Sequence, residues 1–163
     1  MDIFDAKILD LLQTDCTLPH AAIGERVGLS GSAVRRRIQA LRKQGVIARE
    51  VAILSEKAAP RGVAVLALMS FTRESVPAYE AFRKAMRADP CVLQCHATSG
   101  PVDFALLVVV EDPAAYEAWG ERVLAAHPEL RRFDSHVVWS TVKFTTKRTL
   151  APASTRSRSV RSR

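Results

Sequence analysis

The stretch between residues 20 and 45 constrains the fold more than any other part of this 163-residue chain. Apolar residues recur at helical spacing on both sides of the short segment "VGLS", residues 27–30. Within it, Gly28 tolerates the left-handed end of one helix and Ser30 can cap the next. We therefore predict helices over about 21–27 and 31–44, the latter ending at Gly45. Two short helices joined by a tight turn are typical of a helix-turn-helix.

Apolar spacing also predicts what flanks this pair of helices. Phe4, Ile8, Leu11 and Leu12 form one stripe, which predicts a first helix capped by Asp2. After the third helix, "VIAREVAIL" (46–54) alternates in part. This alternation predicts a strand, either a wing or a connecting β element.

Beyond residue 62 the apolar period changes, which predicts a second domain. Strands are expected at 63–71, 91–99, 104–110 and 131–144, and the helices begin near Val76 and Pro113. The resulting order, βαββαβ, is the ferredoxin-like arrangement. The two near-continuous apolar runs, 63–71 and 104–110, are typical of central strands. The predicted fold class is α+β: a helix-turn-helix domain (1–50), a strand and linker (51–62), a ferredoxin-like domain (63–146) and a tail (147–163).

The net charge of +7 is unevenly distributed. Residues 1–50 carry +2, residues 51–146 carry −1 and residues 147–163 carry +6. The tail is rich in Ser and Arg and has almost nothing to bury, which predicts disorder. It is either a solubilising terminus or an arm that adds contacts to nucleic-acid phosphates.

The third predicted helix is basic without compensating acids. Residues 31–49 hold six Lys or Arg and no Asp or Glu. Like charges on one helix repel each other mildly, so a solvated surface helix usually interleaves acids with its bases. The pattern favours a polyanion such as DNA over a merely solvated face.

Helical geometry assigns these side chains to different directions. The core face is predicted to hold Val34, Ile38 and Leu41. Ser32, Arg36 and Gln39 point away from it, where they can reach base edges in a major groove. Arg35 and Lys43 are expected on phosphates. Arg37 lies beside the core and faces either a backbone phosphate or an acid such as Asp5. The small residues 31–33 are expected to let this helix end approach a groove closely. The full predicted DNA-binding set is Ser30, Ser32, Arg35, Arg36, Arg37, Gln39 and Lys43.

Cysteines and apolar runs exclude several classes of protein. Three cysteines are an odd number, which argues against a disulfide framework. Cys91 and Cys95 are predicted to share a strand face near His96, but the C-x-x-C spacing of metal sites is missing. We expect buried free thiols, no metal and no cofactor. No apolar run has the length of a membrane span, and the acidic start does not resemble a signal peptide. A cytoplasmic protein is expected.

Three segments together resemble one family. They are "MDIFDAKILDLLQTD", "VGLSGSAVRRRIQALRKQGVI", and "CHATSGPVDFALLVVV" followed by "SHVVWSTVK". From residue 2 to about 150 the chain is similar to the Lrp/AsnC transcription regulators. The resemblance implies a winged helix-turn-helix for double-stranded DNA and a ligand-binding αβ domain. It also implies homodimers assembled into tetramers or octamers, with amino acids or related small molecules bound between dimers. Arg37 matches the family's recurrent arginine, whereas Arg35 and Arg36 fall at variable positions.

The resemblance also implies a ligand site around one turn and one strand end. Asp103 could accept an α-ammonium group, and backbone N–H groups near Gly100 could accept a carboxylate. Gly100 and Asp103 are equally typical of a plain hairpin turn. Pro101 and Val102 replace the acidic and aromatic residues common there, and "AREV" replaces a Gly-Tyr pair. The alternatives for His136 are a ligand contact, a pH-sensitive interface residue and a satisfied interface histidine. The implied set is Ala97, Thr98, Ser99, Gly100, Asp103, His136, Val137 and Val138.

The expected function is sequence-specific DNA binding by a nucleoid-associated transcription regulator, modulated by an amino acid or related small molecule. It is not expected to be an enzyme. One alternative is an architectural DNA-binding protein with little sequence preference, which the basic tail favours. A second alternative is a decarboxylase of modified tetrapyrroles, because enzymes of this type resemble the same architecture. The four histidines form no recognisable cluster, which argues against that enzyme.

Overall fold

The computed structural model describes residues 1–55, 62–72 and 75–150, which fold as two compact units. The first unit contains Met1–Ile53 together with the segment from Lys143 onward. The second unit is Leu54–Val142. Most of the predicted linker, 56–61, and residues 151–163 of the tail lie outside the described residues. No helix of the described residues is long and apolar enough to cross a membrane.

The first unit contains the predicted helix-turn-helix. Its helices are α1 (Ile3–Leu12), α2 (His20–Val27) and α3 (Gly31–Lys43). The predicted caps are confirmed: the Asp2 carboxylate accepts from Asp5 N–H, Gly28 adopts φ +76° after α2, and the Ser30 hydroxyl accepts from Ala33 N–H. The helices pack around a cluster of fully or nearly fully buried side chains contributed by all three: Ile8, Ile23, Val27, Val34 and Ile38.

Two glycines allow α2, the turn and α3 to approach closely. A Cβ atom on Gly24 would lie 2.4 Å from the carbonyl oxygen of Leu29 in the turn. A Cβ atom on Gly31 would lie 3.2 Å from the backbone nitrogen of Ala21. Because Gly31 faces α2, its lack of a side chain serves the packing of the two helices. Packing against α2 therefore explains the glycine at position 31 without the predicted close approach of α3 to a DNA groove.

The strand predicted at 46–54 is wrong, because the described residues 46–55 contain no strand. Instead, the N–H groups of Val46 and Ile47 both donate to the carbonyl of Leu41, which folds the chain back under the end of α3. Val51 and Ile53 are each 61% exposed. An alternating pattern forms a strand only where a neighbouring strand accepts its hydrogen bonds, and the described part of this unit offers none.

The second unit has the predicted βαββαβ order. Its elements are β1 (Val63–Phe71), α4 (Val76–Ala88), β2 (Val92–Ala97), β3 (Phe104–Val110), α5 (Pro113–Ala126) and β4 (Leu130–Val137). The strands form one antiparallel sheet in the order β2-β3-β1-β4. The prediction that the two most apolar strands are central is thus confirmed. Asp112 caps α5 and Pro113 opens it, also as predicted.

The helices cover one face of this sheet. Alternate residues of the central strands, such as Ala67, Met69, Leu106 and Val108, are almost completely buried among α4 and α5 side chains. The intervening residues point to the opposite face, where Leu66 is 45% exposed. That second face is apolar along the central strands, and the remaining members of its row are Ala64, Leu68, Ala105, Leu107 and Val109.

The last strand and the tail differ from their predicted bounds. β4 was predicted to run to residue 144 but ends at Val137, after which Val138 N–H donates once more to Ala64. The chain then joins the first unit from Lys143 onward. Lys147 and Arg148, predicted to belong to a disordered tail, contact Asp10 of α1 and the residues Gln13 and Thr14 that follow it. Disorder was inferred from composition, which does not register these specific polar contacts.

Candidate functional site

The outer face of α3 is the first candidate site. Val34, Ile38 and Leu41 are buried, so the predicted core face is confirmed. The side chains predicted to reach base edges or phosphates lie on the exposed surface: Ser32, Arg35, Arg36, Gln39 and Lys43. Since the buried row fixes how the helix is rotated, this arrangement presents one continuous polar and basic face to solvent.

The beginning of α3 is held by its cap. The Ser30 hydroxyl accepts from Ala33 N–H at 3.2 Å and lies 3.1 Å from the Ser32 hydroxyl. Ser30 is thus engaged in ending the turn and starting the helix. Ser32, one turn before Arg36, remains exposed at the helix N-terminus, where a backbone N–H group and the helix dipole favour an anion such as a phosphate.

Arg37 faces inward to acids of α1. Its Nη1 atom lies 2.7 Å from Asp2 Oδ2 and 2.8 Å from Asp5 Oδ1. Its guanidinium carbon also lies 5.6 Å from the centroid of the Phe4 ring. Hydrogen bonds from Asp5 N–H and then from Arg37 lower the pKa of Asp2, and the two carboxylates raise the pKa of Arg37. Arg37 was predicted to face either a backbone phosphate or an acid, and the structure pairs it with Asp2 and Asp5.

The other cations of α3 divide into two groups. Arg42 pairs with Glu50, with Nη2 at 2.8 and 3.0 Å from its two carboxylate oxygens. No carboxylate of the described residues lies within ion-pair distance of Arg35, Arg36 or Lys43. These three exposed cations are therefore available for an external anion without first breaking an ion pair among the described residues.

The turn between β2 and β3 is the second candidate site. Thr98 N–H donates to the carbonyl of Asp103 at 2.9 Å, and the Thr98 hydroxyl donates to the carbonyl of Val102 at 2.5 Å. Gly100 adopts φ +117°, a conformation that side chains rarely allow. The Ser70 hydroxyl on β1 donates to the carbonyl of Pro101 at 3.0 Å. The turn is thus internally bonded and tied to the central strand.

Asp103 is the centre of this network. Its Oδ2 accepts from Phe71 N–H at 2.8 Å, and its Oδ1 accepts from the Tyr79 hydroxyl at 2.6 Å. Its own N–H donates to the carbonyl of Met69. Each carboxylate oxygen retains a second lone pair, so an ammonium group could still be accepted. The carboxylate nevertheless joins the end of β1 to α4 without any ligand.

The predicted ligand-site residues do not meet within one chain. Ala97 to Asp103 lie at one end of the sheet, beyond the pairing of Ala97 with Phe104. Val137 pairs with Val65, four residues along β1 from Met69, and belongs to the opposite edge strand. Four residues along and three strands across amount to a separation on the order of 20 Å. The structure places the exposed His136 with Val137, away from the turn.

The three thiols are less buried than was expected. Cys91 and Cys95 are half-buried free thiols, whereas Cys16 is exposed. Burial raises the pKa of both Cys91 and Cys95, which keeps them protonated at neutral pH. No group of three His, Cys, Asp or Glu side chains in the described residues has the arrangement of metal ligands.

Comparison with known proteins identifies the family. Residues 1–42 match the AsnC-type helix-turn-helix domain, and residues 64–148 match the Lrp/AsnC ligand binding domain. The chain belongs to the Lrp/AsnC family. An uncharacterized HTH-type transcriptional regulator of Haemophilus influenzae is 32% identical over 143 residues, which are 88% of this chain and 85% of the relative. The family is therefore one of transcription regulators, as the sequence motifs predicted.

Two solved structures of transcriptional regulators resemble this fold. An AsnC family transcriptional regulator from Agrobacterium tumefaciens aligns with a TM-score of 0.82 and 37% identity, covering 90% of this chain and 95% of its own. A transcriptional regulator from Neisseria meningitidis, solved in complex with L-Met, aligns with a TM-score of 0.79 and 31% identity. The second alignment covers 90% of this chain and 94% of the Neisseria chain.

Sequence reasoning missed three residues whose contacts shape the two units. Gly24 sets the approach of the turn to α2, and a glycine inside a predicted helix was a usable signal for it. Tyr79 donates from its hydroxyl to Asp103, 24 residues away. Gln13 binds the backbone of Arg148, 135 residues away, and no local pattern indicates such a contact.

Proposed function

We propose that this protein is a sequence-specific DNA-binding transcription regulator whose helix α3 enters the major groove of double-stranded DNA. The observation that carries the proposal is the exposed, acid-free face of α3. Its three cations Arg35, Arg36 and Lys43 have no carboxylate partner among the described residues. A helix of about 12 Å diameter fits the major groove, and phosphates would relieve the repulsion between these cations.

The proposed roles follow from the direction of each side chain. Arg36 and Gln39 point away from the buried row and are the candidates for base edges, where Arg pairs with guanine and Gln with adenine. Ser32 lies beside them at the helix start. Arg35 and Lys43 are assigned to phosphates, which supply affinity without reading sequence. Arg37 is assigned to holding α3 against α1, because its guanidinium already contacts two carboxylates.

We further propose that an amino acid or related small molecule modulates DNA binding. The Neisseria relative in complex with L-Met supports this class of effector. The turn around Gly100 and Asp103 is the candidate contact, with Asp103 accepting an α-ammonium group. Because the turn and Val137 are separated in one chain, a ligand that contacts both sets must lie where copies of the chain meet.

A homodimer, assembled further into a tetramer or octamer, is part of the same proposal. The sheet face opposite α4 and α5 carries an apolar row on the two central strands, including the 45%-exposed Leu66. Burial of such a face against a second copy is favourable in proportion to its apolar area. We propose that this role requires no catalysis and is carried out in the cytoplasm, at the nucleoid.

Substitution of Arg36 tests the base-reading assignment. We expect Arg36→Ala to weaken binding to the cognate site by about 1–3 kcal/mol and to relax base preference at one position. Arg35→Ala is the matched control, since loss of a phosphate contact weakens binding to all sequences alike. The measurement is binding to the site selected from random DNA and to single-base variants of it. Equal losses on all sequences for Arg36→Ala would reduce Arg36 to a phosphate contact.

The ligand assignment requires a variant that preserves the turn. Asp103→Ala would remove two internal hydrogen bonds, so Asp103→Asn is the sharper change, and Tyr79→Phe is its control. We expect Asp103→Asn to abolish the effect of amino acids on DNA binding and thermal stability, whereas Tyr79→Phe retains it. A screen of amino acids by thermal shift provides the ligand, because binding to the folded state raises stability. An unchanged ligand response in Asp103→Asn would refute the assignment.

An architectural role with little sequence preference is the second candidate. The charge of +6 on residues 147–163 favours it, because a basic segment binds any sequence through phosphates. Competition with unrelated DNA separates the two functions. A regulator keeps its site in excess competitor, and an architectural protein does not.

A further inference from the structure

A hollow of about 700 Å³ opens on the first unit, and the proposed function leaves it unused. The described residues that line it come from α1, from the end of α2 and from the segment 143–150, and none of them belongs to α3. Small-molecule sites in proteins typically have volumes of about 300–1,000 Å³ and combine an apolar lining with a few polar groups. The hollow therefore has the size of a small-molecule site that is separate from the exposed face of α3.

One part of the lining is apolar. Ala6 of α1 and Val27 at the end of α2 are buried, and Leu11 is half-buried. Leu150 is also half-buried, whereas residues 141–149 are all exposed. A ligand gains affinity here by covering these side chains, in proportion to the apolar area that it removes from water. The hollow therefore favours a ligand with an apolar body.

The charged part of the lining is positive. It consists of four cations and one acid, namely Lys7, Arg26, Lys143, Lys147 and Asp10. Lys147 Nζ lies 3.0 Å from Asp10 Oδ1, so these two charges largely offset each other. No carboxylate of the described residues lies within ion-pair distance of the other three cations, all of which are exposed. The lining thus attracts an anion and repels a cation.

The wall formed by the segment 143–150 is held in place without a ligand. Gln13, directly after α1, donates from Nε2 to the carbonyl of Arg148 at 3.1 Å and accepts from Arg148 N–H through Oε1 at 2.8 Å. Lys147 Nζ also donates to the Thr14 hydroxyl at 3.0 Å. The Thr145 hydroxyl accepts from Lys147 N–H at 3.1 Å, and its own hydrogen has no acceptor among the described residues. The hollow is therefore preformed and offers a hydroxyl donor besides its cations.

We propose that this hollow binds an organic carboxylate that has an apolar side chain and no ammonium group. The carboxylate lies among Lys7, Arg26 and Lys143, where charge-assisted hydrogen bonds hold it. The apolar side chain lies against Val27 and Leu150. An amino acid is a poor ligand here, because its ammonium group would enter a site that already holds three cations. The candidate ligand site of the second unit has the opposite preference, since it offers a carboxylate to an ammonium group. The inference goes beyond the proposed function and does not depend on it.

Three probes that share one apolar group test the charge preference. Phenylalanine carries both charged groups, 3-phenylpropanoate lacks the ammonium group, and 2-phenylethylamine lacks the carboxylate. Each probe is titrated into the full chain by isothermal titration calorimetry. We expect 3-phenylpropanoate to bind saturably, with an affinity that falls as salt rises, because salt screens charges at an exposed site. The other two probes should show no binding that depends on the three cations of the hollow.

Substitution of these cations locates the binding site. Lys143→Gln and Arg26→Gln should each weaken the binding of 3-phenylpropanoate about two- to fivefold, as expected for the loss of one exposed ion pair. Combined with Lys7→Gln in a triple variant, they should weaken it by about tenfold or more. Arg49→Gln is the matched control, because it removes an exposed cation of the same unit that does not line the hollow. Its affinity for 3-phenylpropanoate should equal that of the wild type. Urea midpoints equal to that of the wild type are expected for all these variants, since the four side chains are exposed.

Four results would overturn the inference. The first is that 3-phenylpropanoate shows no saturable binding, and the second is that the triple variant binds it as tightly as the wild type. The third is a loss in Arg49→Gln as large as in the triple variant, because Arg49 lines a second hollow of about 520 Å³ and the acid would then occupy that one. The fourth is a triple variant that weakens phenylalanine as much as 3-phenylpropanoate, since the hollow would then not discriminate against an ammonium group.

Discussion

The contact between α2 and the turn predicts the effect of one added methyl group in Gly24→Ala. Gly24 is buried, and its carbonyl accepts from Leu29 N–H at 2.9 Å. A Cβ atom at position 24 would lie 2.4 Å from the carbonyl oxygen of the same Leu29, whereas real Cβ contacts essentially never fall below 3.0 Å. The turn must therefore move away from α2 by more than half an ångström, estimated as the difference between these two distances.

Two opposing terms set the size of the effect. Alanine is a better helix former than glycine by about 1 kcal/mol, which would stabilise α2. Overpacking costs about 1–3 kcal/mol, and the upper end applies here because the opposing atom is backbone and cannot rotate away. The net expectation is a loss of about 1–2 kcal/mol in the free energy of unfolding of the first unit. DNA affinity should also fall, because the turn positions α3.

The aromatic residues allow the two units to be followed separately. Both tryptophans, Trp119 and Trp139, belong to the second unit. In urea titrations, tryptophan fluorescence therefore reports the second unit, whereas circular dichroism at the helical band reports both. Gly24→Ala should move an early part of the dichroism transition to lower urea and leave the fluorescence midpoint unchanged.

Gly28→Ala provides the matched control. Gly28 has φ +76° and no atom within 4 Å of an added Cβ, so alanine there meets backbone strain but no clash. We expect Gly28→Ala to lower the free energy of unfolding by about 1 kcal/mol without displacing α3. Its DNA affinity should therefore be retained where the protein is fully folded. If Gly24→Ala were as stable as the wild type and bound DNA equally well, the close approach of the turn to α2 would be wrong.

Two further predictions concern charge. Burial lowers the pKa of His127, opposed in part by Glu129, so below about pH 6.5 the unfolded chain binds a proton that the folded chain does not. The free energy of unfolding of the second unit should therefore fall as the pH falls below that value, by up to about 1.4 kcal/mol per pH unit. His127→Gln should remove this pH dependence, which urea titrations followed by tryptophan fluorescence can measure. Arg37→Ala should lower the unfolding midpoint of the first unit, less so at high salt, yet leave the salt slope of DNA binding unchanged because its guanidinium faces Asp2 and Asp5. A reduced slope would assign Arg37 to a phosphate after all.

Local signals explain which parts of the fold were predictable. Caps such as Asp2, Ser30 and Asp112 act on backbone groups three residues away, so a local sequence pattern is enough to predict them. The two central strands could also be predicted from the sequence, because alternation and apolar runs reflect burial. Alternation alone, however, does not say whether a partner strand exists. Residues 46–54 and 138–144 both carried the pattern, and neither forms a strand in the described chain.

The contact of Lys147 and Arg148 with the first unit could not be predicted, because the residues that form it are far apart in sequence. Gln13 and Arg148 are separated by 135 residues, and neither is unusual for its neighbourhood. Composition described residues 147–163 as basic with almost nothing to bury, yet Leu150 is half-buried on the first unit. Long-range contacts of single polar side chains leave no periodic signal, so only the structure reveals them.

Asp103 shows how far motif reasoning reaches at the ligand site. An Asp beside a glycine turn was consistent with an ammonium contact and with a plain hairpin, and the structure adds a third use, since the carboxylate joins Phe71 N–H to the Tyr79 hydroxyl. A ligand that recruits Asp103 must therefore share its oxygens with two existing donors. The remaining implied residues, such as Val137, lie at the opposite edge of the same sheet. An amino acid is too short to span about 20 Å of sheet, so an amino-acid effector that uses both groups must take them from different copies. Effector binding and assembly would then be one linked equilibrium, in which each strengthens the other.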